Sequence, residues 1–184
     1  LAKASLLLRQ GDTDQAEQLL NEVWPAIDAS ASQYELGLWS LQRGRLFLIK
    51  GETHTSIKLF VEAERCFTED GRELEMLWSR VWLAAALSSA GEADVVEKFK
   101  GLLTGGGNVS HALVATVRLA LPWLKRIRSD RSLGRLAVSL FQQVDRLDAR
   151  LPSMRRNMRR LPQAVTLSAP RLIIQSLGWT KVTV

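Results

Sequence analysis

The sequence predicts an all-α fold of stacked helix hairpins, and three observations predict it. A glycine followed by an acidic residue recurs forty residues apart, at Gly11-Asp12, Gly51-Glu52 and Gly91-Glu92. Each pair closes an apolar run: Leu6 to Leu8, Leu46 to Ile49, Leu83 to Leu87. Small and large residues keep the same register, with Ala4, Gly44 and Ala84 ahead of Leu7, Phe47 and Leu87. The glycine ends one helix, where it alone takes the left-handed cap without steric cost, and the acid begins the next, where negative charge suits the helix N-terminus. After each corner come Leu19, Leu59 and Phe99, with Ala16, Ser56 and Val96 three residues earlier, so the second helix repeats as well. A self-similar period of this length signals a solenoid, in which one hairpin cannot bury its apolar stripe alone and stacks on its neighbours.

The elements follow in order. The first hairpin spans about 1 to 28, with a first helix already in progress at Leu1, whereas its counterpart in the second hairpin starts near Gln33, eighteen residues before its glycine. That comparison predicts a fragment cut inside or just before a hairpin. The second helix runs from about 13 to 27 with Pro25 near its end, and residues 28 to 32 read as a turn with a Ser N-cap. The second hairpin takes helices of about 33 to 50 and 53 to 69, and the third about 73 to 90 and 92 to 103.

The pattern breaks at Thr104-Gly105-Gly106-Gly107-Asn108. No Lys-Ser or Lys-Thr follows, so the mechanism of a phosphate-binding loop is missing and the stretch reads as a flexible connector. Leu113, Val117, Leu121 and Leu124 then mark a helix over 109 to 127 that Pro122 is expected to kink. Leu136, Leu140, Val144, Leu147 and Leu151 mark another over 133 to 151. Together these form a degenerate fourth hairpin, 109 to 151, in which Ala137, Phe141 and Val144 keep the spacing of Ser56, Phe60 and Ala63.

Pro152 suits the first position of a capping helix over 152 to 161, with Met154 and Met158 as the side that docks on the preceding helix. Residues 162 to 170 read as a linker. From 171 to 184 the period changes to two, with β-branched residues around Gly178, which predicts a strand pair or one bent strand. Two strands alone bury too little apolar surface to be a domain.

Gly44, Gly51, Phe60 and Ala63 resemble the small, Gly, aromatic, Ala frame of the tetratricopeptide repeat. The first copy keeps Gly11 and Ala16 with Leu20 as the later residue, the third has Lys100 where the aromatic is expected, and no copy carries the terminal Pro. The period of forty exceeds the usual 34 or so and resembles the longer repeats in the sensor region of large bacterial transcription activators of the maltose-regulator type. This resemblance implies a right-handed superhelix of tetratricopeptide-like hairpins over 1 to 161. In the tail, Leu172, Ile174, Leu177-Gly178 and Val182 resemble the opening of the winged-helix domain of the Streptomyces antibiotic regulatory protein family. That implies a truncated winged helix over 171 to 184, with DNA read by a domain that continues beyond Val184.

Composition fits a helical repeat protein. The chain has 184 residues, 46% hydrophobic and 24% charged. No apolar run approaches the ~20 residues that span a membrane, and no signal peptide is present, so a cytoplasmic setting and no membrane partner are expected. The charge is split: residues 1 to 100 carry 11 Lys and Arg against 16 Asp and Glu, and residues 101 to 184 carry 14 against 3. The basic end favours an acidic partner, another part of the same protein, or a polyanion.

Chemistry-bearing constellations are few. His54 and His111 sit at or near helix starts with no metal spacing around them, and Cys66 allows neither a disulfide nor a thiolate cluster and fits a core position beside Phe67. Glu62-Glu64 and Glu73-Glu75 face different ways on a helix and read as solvated charge. No catalytic residue, metal or cofactor is implied.

Binding is the stronger expectation. In a superhelix the first helix of each hairpin lines the concave surface, and outside the packing frame that surface offers Ser5, Arg9, Leu38, Arg45 and Trp78. Trp78 with Arg45 on the neighbouring hairpin suits an acidic or aromatic peptide or a small effector. The alternative for Trp78 and Trp82, four apart, is packing between hairpins. Arg155, Arg156, Arg159 and Arg160 form a second candidate patch, read either as a phosphate contact or as the solvated face of a capping helix. The expected function is a non-catalytic, effector-sensing and protein-interaction scaffold of a bacterial transcriptional regulator, partnered by other domains of that regulator. The alternative is a stand-alone tetratricopeptide adaptor that binds a peptide in its groove.

Overall fold

The corners set the architecture. The computed structural model describes residues 1–104, 111–160, 175–176 and 180–181. Gly11, Gly51 and Gly91 take φ of +83°, +83° and +84°. After each of them the acidic residue's amide donates five residues back, Asp12 to the Leu7 carbonyl at 3.0 Å, Glu52 to Phe47 at 2.8 Å and Glu92 to Leu87 at 3.1 Å. Each glycine amide donates three residues back, to Leu8 at 3.4 Å, Leu48 at 3.2 Å and Ser88 at 3.3 Å. These paired bonds satisfy carbonyls that the helix end would otherwise leave bare.

The corners join α1 (Ala2–Gln10) to α2 (Thr13–Ser30), α3 (Gln33–Ile49) to α4 (Thr53–Glu69), and α5 (Glu73–Ala90) to α6 (Val95–Thr104). Between hairpins the chain turns through a left-handed residue again, Ala31 at φ +51° and Gly71 at +68°, and these too are forty apart. Asp12 and Ser32 cap α2 and α3 by accepting from the Gln15 and Glu35 amides at 3.1 and 3.3 Å. Helices α1 to α6 pack in sequence, and the first helices also meet one another, α1 with α3, α3 with α5, and α5 with α7 (His111–Ala120). This is repeat-like packing.

Close approach within a hairpin depends on missing side chains. A Cβ at Gly44 would lie 2.6 Å from Cε1 of Phe60, and one at Gly37 2.7 Å from Cε1 of Phe67, so both rings of α4 press on the backbone of α3. At the equivalent positions of the first hairpin, Ala4 and Leu20 are fully buried in one apolar cluster.

The third hairpin departs from the expected register. Its second helix begins at Val95, not near 92, and Val95, Phe99 and Leu102 are buried at the spacing of Ser56, Phe60 and Ala63. Keeping strict register would bury the Lys100 ammonium without a partner, which is costly. A slip of one residue buries Phe99 instead, and its ring stacks on Phe141 at 5.9 Å.

Two further expectations change at prolines. The helix expected over 109 to 127 is broken, not kinked, into α7, a 3-10 turn Leu121–Trp123 and α8 (Lys125–Ser129), because Pro122 has no amide to extend the α ladder. Pro152, in contrast, lies inside α9 (Arg135–Arg160), so 133 to 151 and 152 to 161 are not separate helices. Its fixed φ is helical, and the helix forfeits one backbone bond there. On α9, Ala137 is buried while Leu136 is 52% exposed, and Met154 and Met158 are exposed at 50% and 70%, which removes their expected docking role.

The chain divides into two compact units, Leu1–Asp145 and Arg146–Val184. The division falls within α9 and before residue 161. In the second unit β1 (Gln175–Ser176) pairs antiparallel with β2 (Thr180–Lys181). The glycine-rich stretch 105 to 110, the linker 162 to 170, and Leu172, Ile174, Leu177, Gly178, Trp179 and Val182 lie outside the described residues. No helix among the described residues is long and apolar enough to cross a membrane.

Two substitutions test this packing by urea unfolding. Gly44→Ala gains ~1 kcal/mol of helix propensity but meets the Phe60 ring, and a net loss of about 1–2 kcal/mol is expected. Gly101→Ala in α6, where the added carbon meets nothing within 4 Å, is the control and should gain up to ~1 kcal/mol. Ala31→Gly should stabilise by about 1 kcal/mol, since it removes the left-handed strain of a residue with a Cβ.

Candidate functional site

Three helices converge on one cation. Arg45 of α3 is only 6% exposed. Its Nη1 donates to Ser5 Oγ of α1 at 3.0 Å and to Gln42 Oε1 of its own helix at 2.6 Å. Its guanidinium lies 4.9 Å from the centre of the Trp82 ring of α5. Ser5 and Arg45 are forty residues apart, so equivalent positions of successive hairpins touch.

No carboxylate balances this charge. Both hydrogen bonds use Nη1, and Nε is buried with no partner. Among the described residues no Asp or Glu reaches Arg45, and the remaining residues contain neither type. Burial pushes the guanidinium down to about 10, and the nearby charge of Arg9 pushes the same way. Arg45 is therefore still a cation at neutral pH. Desolvating it costs several kcal/mol, against ~1.5–3 kcal/mol for a bond to a charged group and about 2 kcal/mol for a desolvated cation over indole.

The other expected groove residues are partly assembled. Ser5 and Arg9 join Arg45, with Ser5 half-buried and Arg9 exposed. Leu38 and Trp78 are half-buried on α3 and α5, and the ring over Arg45 belongs to Trp82, one turn after Trp78. Trp78 Nε1 is nonetheless buried with no acceptor. Trp82 also packs, 6.3 Å from Phe60 and 5.8 Å from Trp123. Gln42 and Trp82 are the members that sequence reasoning missed. The signal was present, because the two are forty apart and Gln42 precedes Arg45 by three residues on one helix face.

Two shallow notches recur on the hairpins. One of about 430 Å³ is lined by Asn21, Trp24, Trp39 and Arg43, where Arg43 lies 4.8 Å from the Trp39 ring centre and donates to Asn21 at 2.9 Å. The other, about 320 Å³, includes Glu64 and Leu83, forty residues after Trp24 and Arg43. It has an apolar floor and an ion pair, Arg80 to Glu64 at 2.6 Å, at its edge.

In the second unit Arg155 and Arg156 are exposed on α9. Arg159 and Arg160 continue the same helix, and their side chains lie outside the described residues. His54 and His111 are exposed at helix starts, and no cluster among the described residues fits a metal ion.

Cys66 is fully buried against α3, and burial, with Glu62 adding to it, pushes its thiol up to about 11. At pH 8 the thiolate is therefore scarce. Labelling of Cys66 by a disulfide reagent at that pH should run at least ~100-fold slower in the folded protein than in urea, given the ordinary thiol value near 8.5. Equal rates would contradict the buried placement.

No protein-family model matches the chain, and no similar curated protein or solved structure is found.

Proposed function

We propose that this chain is the effector-sensing and protein-interaction scaffold of a bacterial transcriptional regulator, and that it works without catalysis through the concave face of a right-handed superhelix. The observation that carries the scaffold is the forty-residue recurrence of the corners, which brings Ser5, Arg45 and Trp82 of three successive hairpins to one place. A cationic, indole-lined surface on inner helices suits a ligand or partner more than it suits stability. The regulatory role is supported by the resemblance of 171 to 184 to a winged-helix opening, within which Gln175–Ser176 and Thr180–Lys181 pair. DNA would be read by a domain beyond Val184, and the basic patch from Arg155 to Arg160 would meet an acidic neighbour or phosphate.

The second reading, a stand-alone adaptor that binds a peptide in the same groove, is favoured only by the groove. In-frame deletion of the codons for residues 33 to 103 in the native gene, followed by transcript profiling, separates the two. A regulator should change a defined set of transcripts. An unchanged profile overturns the regulatory role and leaves the adaptor.

A further inference from the structure

Arg45 has one unused edge. The two bonds on Nη1 leave Nε and Nη2 side by side, and that edge meets no protein oxygen among the described residues. The Trp82 ring lies against the guanidinium and Nε is sealed from water, so a ligand would reach this edge by parting the side chains around it. Two parallel N–H groups in one plane match the two oxygens of a carboxylate, which accepts both in a bidentate pair. A phosphate can fork to the same edge but carries no apolar body for the half-buried Leu38 and Trp78, and a neutral ligand would leave the cation uncompensated.

We infer that the groove between α1, α3 and α5 holds a small organic carboxylate, with its oxygens on the Nε–Nη2 edge of Arg45 and its charge supported by Arg9. This rests on the groove reading above and names the class of effector. The half-buried Leu38 and Trp78 would take an apolar or aromatic body, and the free Trp78 indole N–H would take a further acceptor. The counter-ion that the chain lacks would then arrive with the ligand. Effector binding would thereby convert an uncompensated buried charge into a paired one, tying α1 to α3 and α5.

The test is thermal unfolding of the full chain in sodium benzoate against sodium chloride and sodium phosphate at matched ionic strength. Benzoate should raise Tm progressively with the logarithm of its concentration, as expected for a ligand of the folded state, and phosphate should do so less. Arg45→Met should raise Tm in chloride, because the unpaired charge is gone, and should lose the benzoate dependence. Arg9→Gln, on the surface, should still fold and should weaken apparent benzoate affinity about tenfold, the loss of one supporting charge contact. Tryptophan fluorescence titration with benzoate gives the same ranking without heating. Equal Tm in benzoate and chloride overturns the inference, as does a phosphate response that matches or exceeds benzoate, or a benzoate response that survives Arg45→Met. Loss of benzoate binding leaves the transcript profile free to succeed, and an unchanged profile leaves benzoate binding intact, so the two readings fail separately.

Discussion

Reversing a helix within two or three residues requires a backbone conformation that a side chain resists. A left-handed residue costs roughly 1–2 kcal/mol with a Cβ and almost nothing for glycine. Here Gly11, Gly51, Gly71 and Gly91 occupy such positions, and only Ala31 bears the strain. Because the four glycine corners close with the same pair of backbone bonds, the helix after each starts at a fixed phase. A fixed phase is what allows Ser5 and Arg45, forty apart, to meet as equivalent positions on neighbouring helices.

That phase also traps the arginine. Phe60 packs directly on Gly44, which draws α4 onto one side of α3 and leaves the adjacent residue, Arg45, directed at the neighbouring first helices. Along α3, Trp39, Leu41, Leu46 and Leu48 are buried as well, so the helix has almost no wet face to offer a long cation. The side chain cannot easily reach water by extending, as a surface arginine would. Its hydrogen bonds to Ser5 and Gln42 and its contact with Trp82 offset part of the desolvation, and none of them supplies a negative charge.

Much of the first three hairpins was legible because it rests on local rules. A glycine with an acid after it, and a small residue facing a ring, are written in neighbouring positions. What escaped was decided by competition between distant groups. The slip at Phe99 follows from what burial would do to Lys100, and it is completed by Phe141, forty-two residues away. Pro122 and Pro152 look alike in the sequence, yet one ends a helix and the other lies within one. Trp78 and Trp82 share a helix face, and only the packing of α5 on α3 decides which indole covers Arg45. The register did point to Trp82, through Gln42, but a single arginine gives no sign in sequence that it is buried.

The missing counter-ion is a matter of placement and not of supply. Residues 1 to 100 hold 16 carboxylates against 11 cations, and many of the latter are paired: Lys50 with Glu17, Arg65 with Glu62, Arg72 with Asp70, Arg80 with Glu64, Lys98 with Asp94, Lys100 with Glu97. Those pairs are partly or fully wet, where an ion pair adds ~0–1 kcal/mol and its loss would scarcely be felt. Lys3 and Lys58 make no such pair and, being exposed, give up little by remaining in water. Arg45 stands apart because it is the cation for which a partner would matter most, and its nearest charged neighbour is Arg9, of the same sign. In a segment with acid to spare, a fold shaped by stability alone would have put one of those carboxylates beside Arg45.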